Sequence, residues 1–147
     1  MLLAAVSPAA AQQPTVTPAE SLHLTLVVPA EVRAGERVPF TLRLENRGTR
    51  PLDLYLRGRS LTFDVEVANP AGTVVWRRLE GEVIPAIVHL RTLAAGERLE
   101  VATAWDQTFN DGRPVPPGRY TVRALLLTEG TERVTPAAPL HLTPRGR

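Results

Sequence analysis

At 147 residues the chain is the size of one domain, large enough to bury roughly 68–70 % of its unfolded surface without a covalent staple. Cysteine is absent, which excludes disulfides, thiol catalysis and thiolate zinc sites, and aromatic residues make up only 5 %, so leucine, valine and alanine must fill the core. All 17 basic residues are arginine, set against 15 acidic ones for a net charge of +2, and they alternate with apolar residues instead of forming a stripe, which argues against a nucleic-acid partner.

In chain order, residues 2–6 are apolar and Ala9-Ala10-Ala11-Gln12 has the small-residue pattern of a signal-peptidase site, although no positive charge precedes it. Export to the periplasm or the exterior is therefore expected, with residues 1–20 as a signal-peptide remnant and linker and residues 21–144 as a single β-sandwich domain. No run reaches the roughly 18–20 apolar residues of a membrane-spanning helix. Leu22, Leu24, Leu26 and Val28 alternate with His23, Thr25 and Val27 as a half-buried first strand, and residues 29–35 turn the chain. Val38, Phe40, Leu42 and Leu44 face inward on a second strand, and the stretch from Asn46 to Pro51 is a turn. Leu52, Leu54 and Leu56 form a third strand and Phe63, Val65 and Val67 a fourth; Asn69-Pro70-Ala71-Gly72 then turns into a strand bearing Val74 and Trp76. Residues 79–95 predict an irregular crossing with a short strand near residues 88–92.

The most informative stretch is residues 96–124. Leu99, Val101, Thr103 and Trp105 share one face, a loop follows, and Pro116-Pro117-Gly118 leads into Tyr120, Val122 and Ala124 on one face. The prolines fix φ, the glycine allows a sharp corner, and the tyrosine can bury its ring while its hydroxyl bonds backbone, as in the tyrosine corner of immunoglobulin-like sandwiches. With a closing strand at Leu140 and Leu142, the pattern predicts an all-β, immunoglobulin-like antiparallel β-sandwich of about eight or nine strands. Phe40, Phe63, Trp76, Trp105 and Tyr120 are its expected core anchors.

Catalytic chemistry has little to stand on. The three histidines, His23, His89 and His141, lie far apart at outward positions, and Asp106, Asn110 and Asp111 lack the spacing of a calcium loop. Serine is scarce and absent from any nucleophile elbow, while Asp64, Glu66, Glu80 and Glu82 sit where solvated charges belong on strands and turns. The chain is expected not to be an enzyme and to need no metal or cofactor.

The order of features resembles the BsuPI family, named for an intracellular proteinase inhibitor of a bacillus. The likeness is carried by Leu44-Glu45-Asn46, Gly58 before Phe63-Asp64-Val65, Asn69-Pro70-Ala71-Gly72 before Val75-Trp76, Leu93-Ala94-Ala95-Gly96-Glu97, and Trp105 before Pro117-Gly118-Arg119-Tyr120-Thr121-Val122. It spans roughly residues 36–128, and it departs from the family where Val83 to Pro85 are aliphatic in place of an aromatic. The resemblance implies a single β-sandwich that binds a protein and inhibits a serine proteinase, with no reactive-site motif to carry over. The expected function is a noncatalytic protein-binding module of this type; the alternative is a structural or accessory subunit of a cell-envelope assembly. The residues 106–117 are the expected recognition loop, because Pro114, Pro116 and Pro117 lower the entropy cost of binding, with Gln107, Thr108, Phe109 and Arg113 as binding residues.

Overall fold

A computed structural model describes residues 21–146; the expectations attached to residues 1–20 fall outside the described residues. The described chain forms eleven strands: β1 (Leu22–Val27), β2 (Glu31–Arg33), β3 (Val38–Asn46), β4 (Leu52–Arg57), β5 (Phe63–Ala68), β6 (Val74–Arg77), β7 (Val88–Leu93), β8 (Arg98–Trp105), β9 (Gly118–Leu126), β10 (Arg133–Val134) and β11 (Ala138–Thr143). One sheet has the order β1-β3-β8, a larger one β2-β11-β9-β5-β6 with β10 also on β9, and β4 pairs with β7 as a ribbon. The fold is an all-β sandwich.

Period-two alternation drives this assembly. On β3 the side chains of Val38, Phe40, Leu42 and Leu44 are all fully buried, and they share one core with Val65 and Val67 of β5, Val122 and Ala124 of β9, and Leu140 and Leu142 of β11. Leu52, Leu54 and Leu56 on β4 and Leu93 on β7 belong to the same core. The ribbon hangs from the end of β9, where Arg57 N–H donates to Leu127 O at 3.1 Å and Glu129 N–H to Tyr55 O at 2.8 Å.

Two features differ from the sequence reading. The strands number eleven because β2 and β10, at three and two residues, are too short to show a period; both lie in stretches read as connections. Nor is every pairing antiparallel: β2 runs parallel to β11, with Val32 opposite Leu142. The crossing at residues 79–95 does carry a strand, β7.

Charged positions on the large sheet are less open than their alternation suggests. Glu66 is only 3 % exposed, because Arg77 on β6 and Arg123 on β9 close over it at 2.6 and 2.7 Å. Asn46, at the end of β3, is fully buried. Its amide nitrogen donates to Arg50 O, Leu93 O and Ala94 O at 2.8, 3.1 and 3.2 Å, and its side-chain oxygen accepts from Gly48 N–H at 3.0 Å. One side chain thus ties the β3–β4 turn to the end of β7.

The corner before β9 is a tyrosine corner. The Tyr120 hydroxyl donates to Pro116 O at 2.5 Å while its ring lies in the core. Burial pushes the phenol above its ordinary pKa. The fold therefore favours the neutral form; its contribution is complete below the ordinary phenol range, about pH 10, and is lost as pH rises through the raised value. Tyr120→Phe is expected to cost about 1 kcal/mol near neutral pH by losing the hydrogen bond. It should also flatten the loss of stability above about pH 10, measured by urea denaturation across that range. An alkaline limb as steep in the variant as in the parent would assign that titration to other groups.

Candidate functional site

The loop between β8 and β9, residues 106–117, folds as a miniature hairpin. Phe109 N–H donates to Arg113 O at 2.8 Å, Gly112 N–H to Phe109 O at 3.0 Å and Val115 N–H to Gln107 O at 2.9 Å, with Thr108 bridged to Pro114. Gly112 turns the tip at φ 89°, a left-handed value that an L side chain resists.

Three side chains then fasten the hairpin to the sandwich. Trp105 Nε1–H donates to Thr108 O at 2.8 Å. Gln107 takes φ 60° and turns inward, where its amide donates to Arg33 O and Glu36 O, both at 2.8 Å. Asn110 pairs with the backbone of β6, donating to Arg77 O at 2.8 Å and accepting from Arg77 N–H at 2.9 Å, as a neighbouring strand would. Arg37 adds an ion pair to Asp106 at 3.0 Å, with both side chains largely exposed.

The exposed tip is Asp111, Gly112 and Arg113. Arg113 lies over the Phe109 ring at 5.3 Å and its Nε meets Asp111 at 2.6 Å, yet its side chain remains 74 % exposed. The Arg113 backbone amide, and then its guanidinium, hold the Asp111 carboxyl below its ordinary pKa.

This geometry redistributes the four residues expected to bind. Gln107 is 4 % exposed and its amide is committed to two carbonyls, so it is an anchor and not a tip residue. Thr108 is half-buried, its carbonyl taken by the tryptophan, and Phe109 is half-buried against the core. Arg113 alone of the four projects into solvent. Asn110 was legible only as a turn residue or a possible cation ligand, and nothing in its local sequence points to Arg77, 33 positions away.

Phe40, Phe63, Trp105 and Tyr120 are buried; Trp76 is half-buried with its ring 5.9 Å from that of Trp105. The histidines remain apart: His23 lies 3.2 Å from an Arg47 nitrogen, His89 meets Gly58 O at 2.8 Å, and His141 meets Glu31 at 3.3 Å. Among the described residues no group of three His, Asp or Glu side chains is placed to hold a metal ion, and no helix is long and apolar enough to cross a membrane.

Sandwich and tyrosine corner define an immunoglobulin-like β-sandwich module. More particularly, the sequence profile of the BsuPI family, described as intracellular proteinase inhibitor, matches residues 25–131, and the chain belongs to that family. The description overturns the expectation of export. That expectation rested on an alanine-rich run without the basic residues of a signal peptide, a pattern that composition alone produces.

No curated protein matches the sequence. Among solved structures, the alkylpurine DNA glycosylase AlkC of Pseudomonas fluorescens, bound to DNA containing an abasic site analogue, is 20 % identical over 82 % of this chain and 29 % of its own, with a TM-score of 0.46. Dimeric latent PorU of Porphyromonas gingivalis is 19 % identical over 82 % of this chain and 9 % of its own, with a TM-score of 0.48. A CARDB domain of Pyrococcus furiosus is 15 % identical over 84 % of this chain and 94 % of its own, with a TM-score of 0.44. The chain thus spans less than a third of the first two proteins, and likeness at this level carries nothing about activity.

Proposed function

We propose that this chain is a noncatalytic inhibitor that recognises a serine proteinase through the tip of the residues 106–117 hairpin. The observation that carries the reading is the division of labour in that loop. Its base is fixed by Trp105, Gln107 and Asn110, whereas Arg113 stands exposed on a closed turn. A loop already held in one shape loses little conformational freedom on binding, so more of its contact energy appears as affinity. Arginine is also among the residue types enriched in interface hot spots. Family membership supports a proteinase as the partner.

The test is inhibition of a subtilisin-like serine proteinase, followed with a chromogenic peptide substrate. Arg113→Ala is the clean probe, since Phe109 is half-buried and its truncation would mix folding with binding. The variant is expected to inhibit about 30-fold more weakly, equivalent to about 2 kcal/mol, with unchanged circular dichroism. Equal inhibition by variant and parent would remove the loop tip from the contact.

A further inference from the structure

At the other end of β3 from the hairpin, the sandwich carries an open groove of about 880 Å³. β3 has nine residues, so at ~3.3 Å per residue the two places are separated by roughly 25–30 Å. Leu22, His23 and Leu24 line one wall, and Asp53, Leu54 and Tyr55 the other. Successive side chains of a strand point to opposite faces, so three consecutive residues reach one space only along a strand edge. Each wall is therefore the border of a strand, β1 on one side and β4 on the other.

Among the described residues, no backbone hydrogen bond spans the groove from one border to the other. Arg47 N–H donates to Ser21 O at 2.8 Å, which sets the odd residues of β1 facing β3; Leu22, Leu24 and Leu26 direct their peptide groups the other way. Among the described residues β1 pairs with β3 alone. On β4, Tyr55 O and Arg57 N–H are taken by residues 129 and 127, so Asp53, two positions earlier, offers its peptide group on the same side. The rim is acidic, with Asp53, Glu129 and Glu132 against Arg133, in a chain whose net charge is +2. Val134 and Pro136 add apolar surface.

We infer that this groove accepts an extended, basic segment of a partner protein, which adds to the border of β1 as a further strand. Main-chain hydrogen bonds to Leu22, Leu24 and Asp53 supply the pairing, and lysine or arginine side chains meet the acidic rim. The site is separate from the hairpin, so it stands or falls independently of the inhibitory reading.

The test uses the full chain and a fluorescein-labelled octapeptide alternating valine with lysine. Controls are the same peptide with glutamate for lysine, and one with prolines replacing the central valines, which cannot donate to a strand. Anisotropy is expected to show saturable binding of the lysine peptide only, weakened at least tenfold by Glu129→Lys with Glu132→Lys, both at exposed positions. Nuclear magnetic resonance of the complex should show slowed exchange at the Leu24 and Asp53 amides. Binding by either control as tight as by the lysine peptide, no binding at all, full affinity in the charge-reversed variant, or unprotected Leu24 and Asp53 amides would each overturn the proposal. Binding only after removal of residues 1–20, or dimerisation competing with the peptide, would also overturn it, naming the chain itself as occupant.

Discussion

Replacing Trp105 with alanine is expected to lower stability by about 3–5 kcal/mol, a large part of the roughly 5–15 kcal/mol that holds a typical domain folded. The indole is 1 % exposed, tilted against Trp76 at 5.9 Å and edge-on to Tyr120 at 6.1 Å. Removing it opens a cavity among the largest side chains of a core poor in aromatics. It also frees Thr108 O, so the hairpin should loosen along with the core. Trp105→Phe separates these effects: it retains most of the burial but not the N–H, and should cost clearly less. Guanidinium denaturation, with Trp76 as the fluorescent reporter, measures both variants. A midpoint unchanged in Trp105→Ala would contradict the burial described for this ring.

Asn46→Leu is expected to cost about 2–4 kcal/mol although it adds apolar surface at a fully buried position. The heavy-atom branching is the same, so no cavity opens, although the two methyl groups are bulkier than the amide they replace. What changes is that Arg50 O, Leu93 O and Gly48 N–H lose the Asn46 amide and Ala94 O keeps only Glu97 N–H, with the Leu93 bond lying fully inside the core. Asn46→Asp should be no better, because a carboxylate would face three carbonyl oxygens. Denaturation midpoints decide the matter; a loss below about 1 kcal/mol in Asn46→Leu would mean that solvent enters and replaces the amide.

The fold was legible wherever a strand was long enough to repeat. β3 spells its buried face four times over, and the double proline, glycine and tyrosine before β9 encode a corner in adjacent residues. Legibility failed where the deciding partner is distant in sequence. Glu66 reads as a solvated charge until Arg77 and Arg123 arrive from neighbouring strands. Gln107 reads as a loop-tip amide, yet its acceptors lie 71 and 74 positions away. β2 is too short to have a period, and its parallel partner comes from the far end of the chain.

The hairpin itself shows the same limit. Its prolines suggested rigidity, and the loop is closely held, but Pro114, Pro116 and Pro117 lie exposed at its margin while Trp105, Gln107 and Asn110 make the fastening bonds. Composition announced stiffness without revealing its source.

The fastening bonds also bear on how such a module can change over generations. Trp105, Gln107 and Asn110 all bond to main-chain atoms, whose chemistry is the same whatever residues supply them. Asp111 and Arg113 bond to each other and take no part in the fastening. Substitutions at positions 111 and 113 therefore spare the three fastening side chains, and under the proposed inhibitory reading specificity can vary there without repeated loss of the fold. For the same reason a library randomised at those two positions would yield a high proportion of folded members, and screening it against proteinases would explore altered targets if the proposed reading of the tip holds.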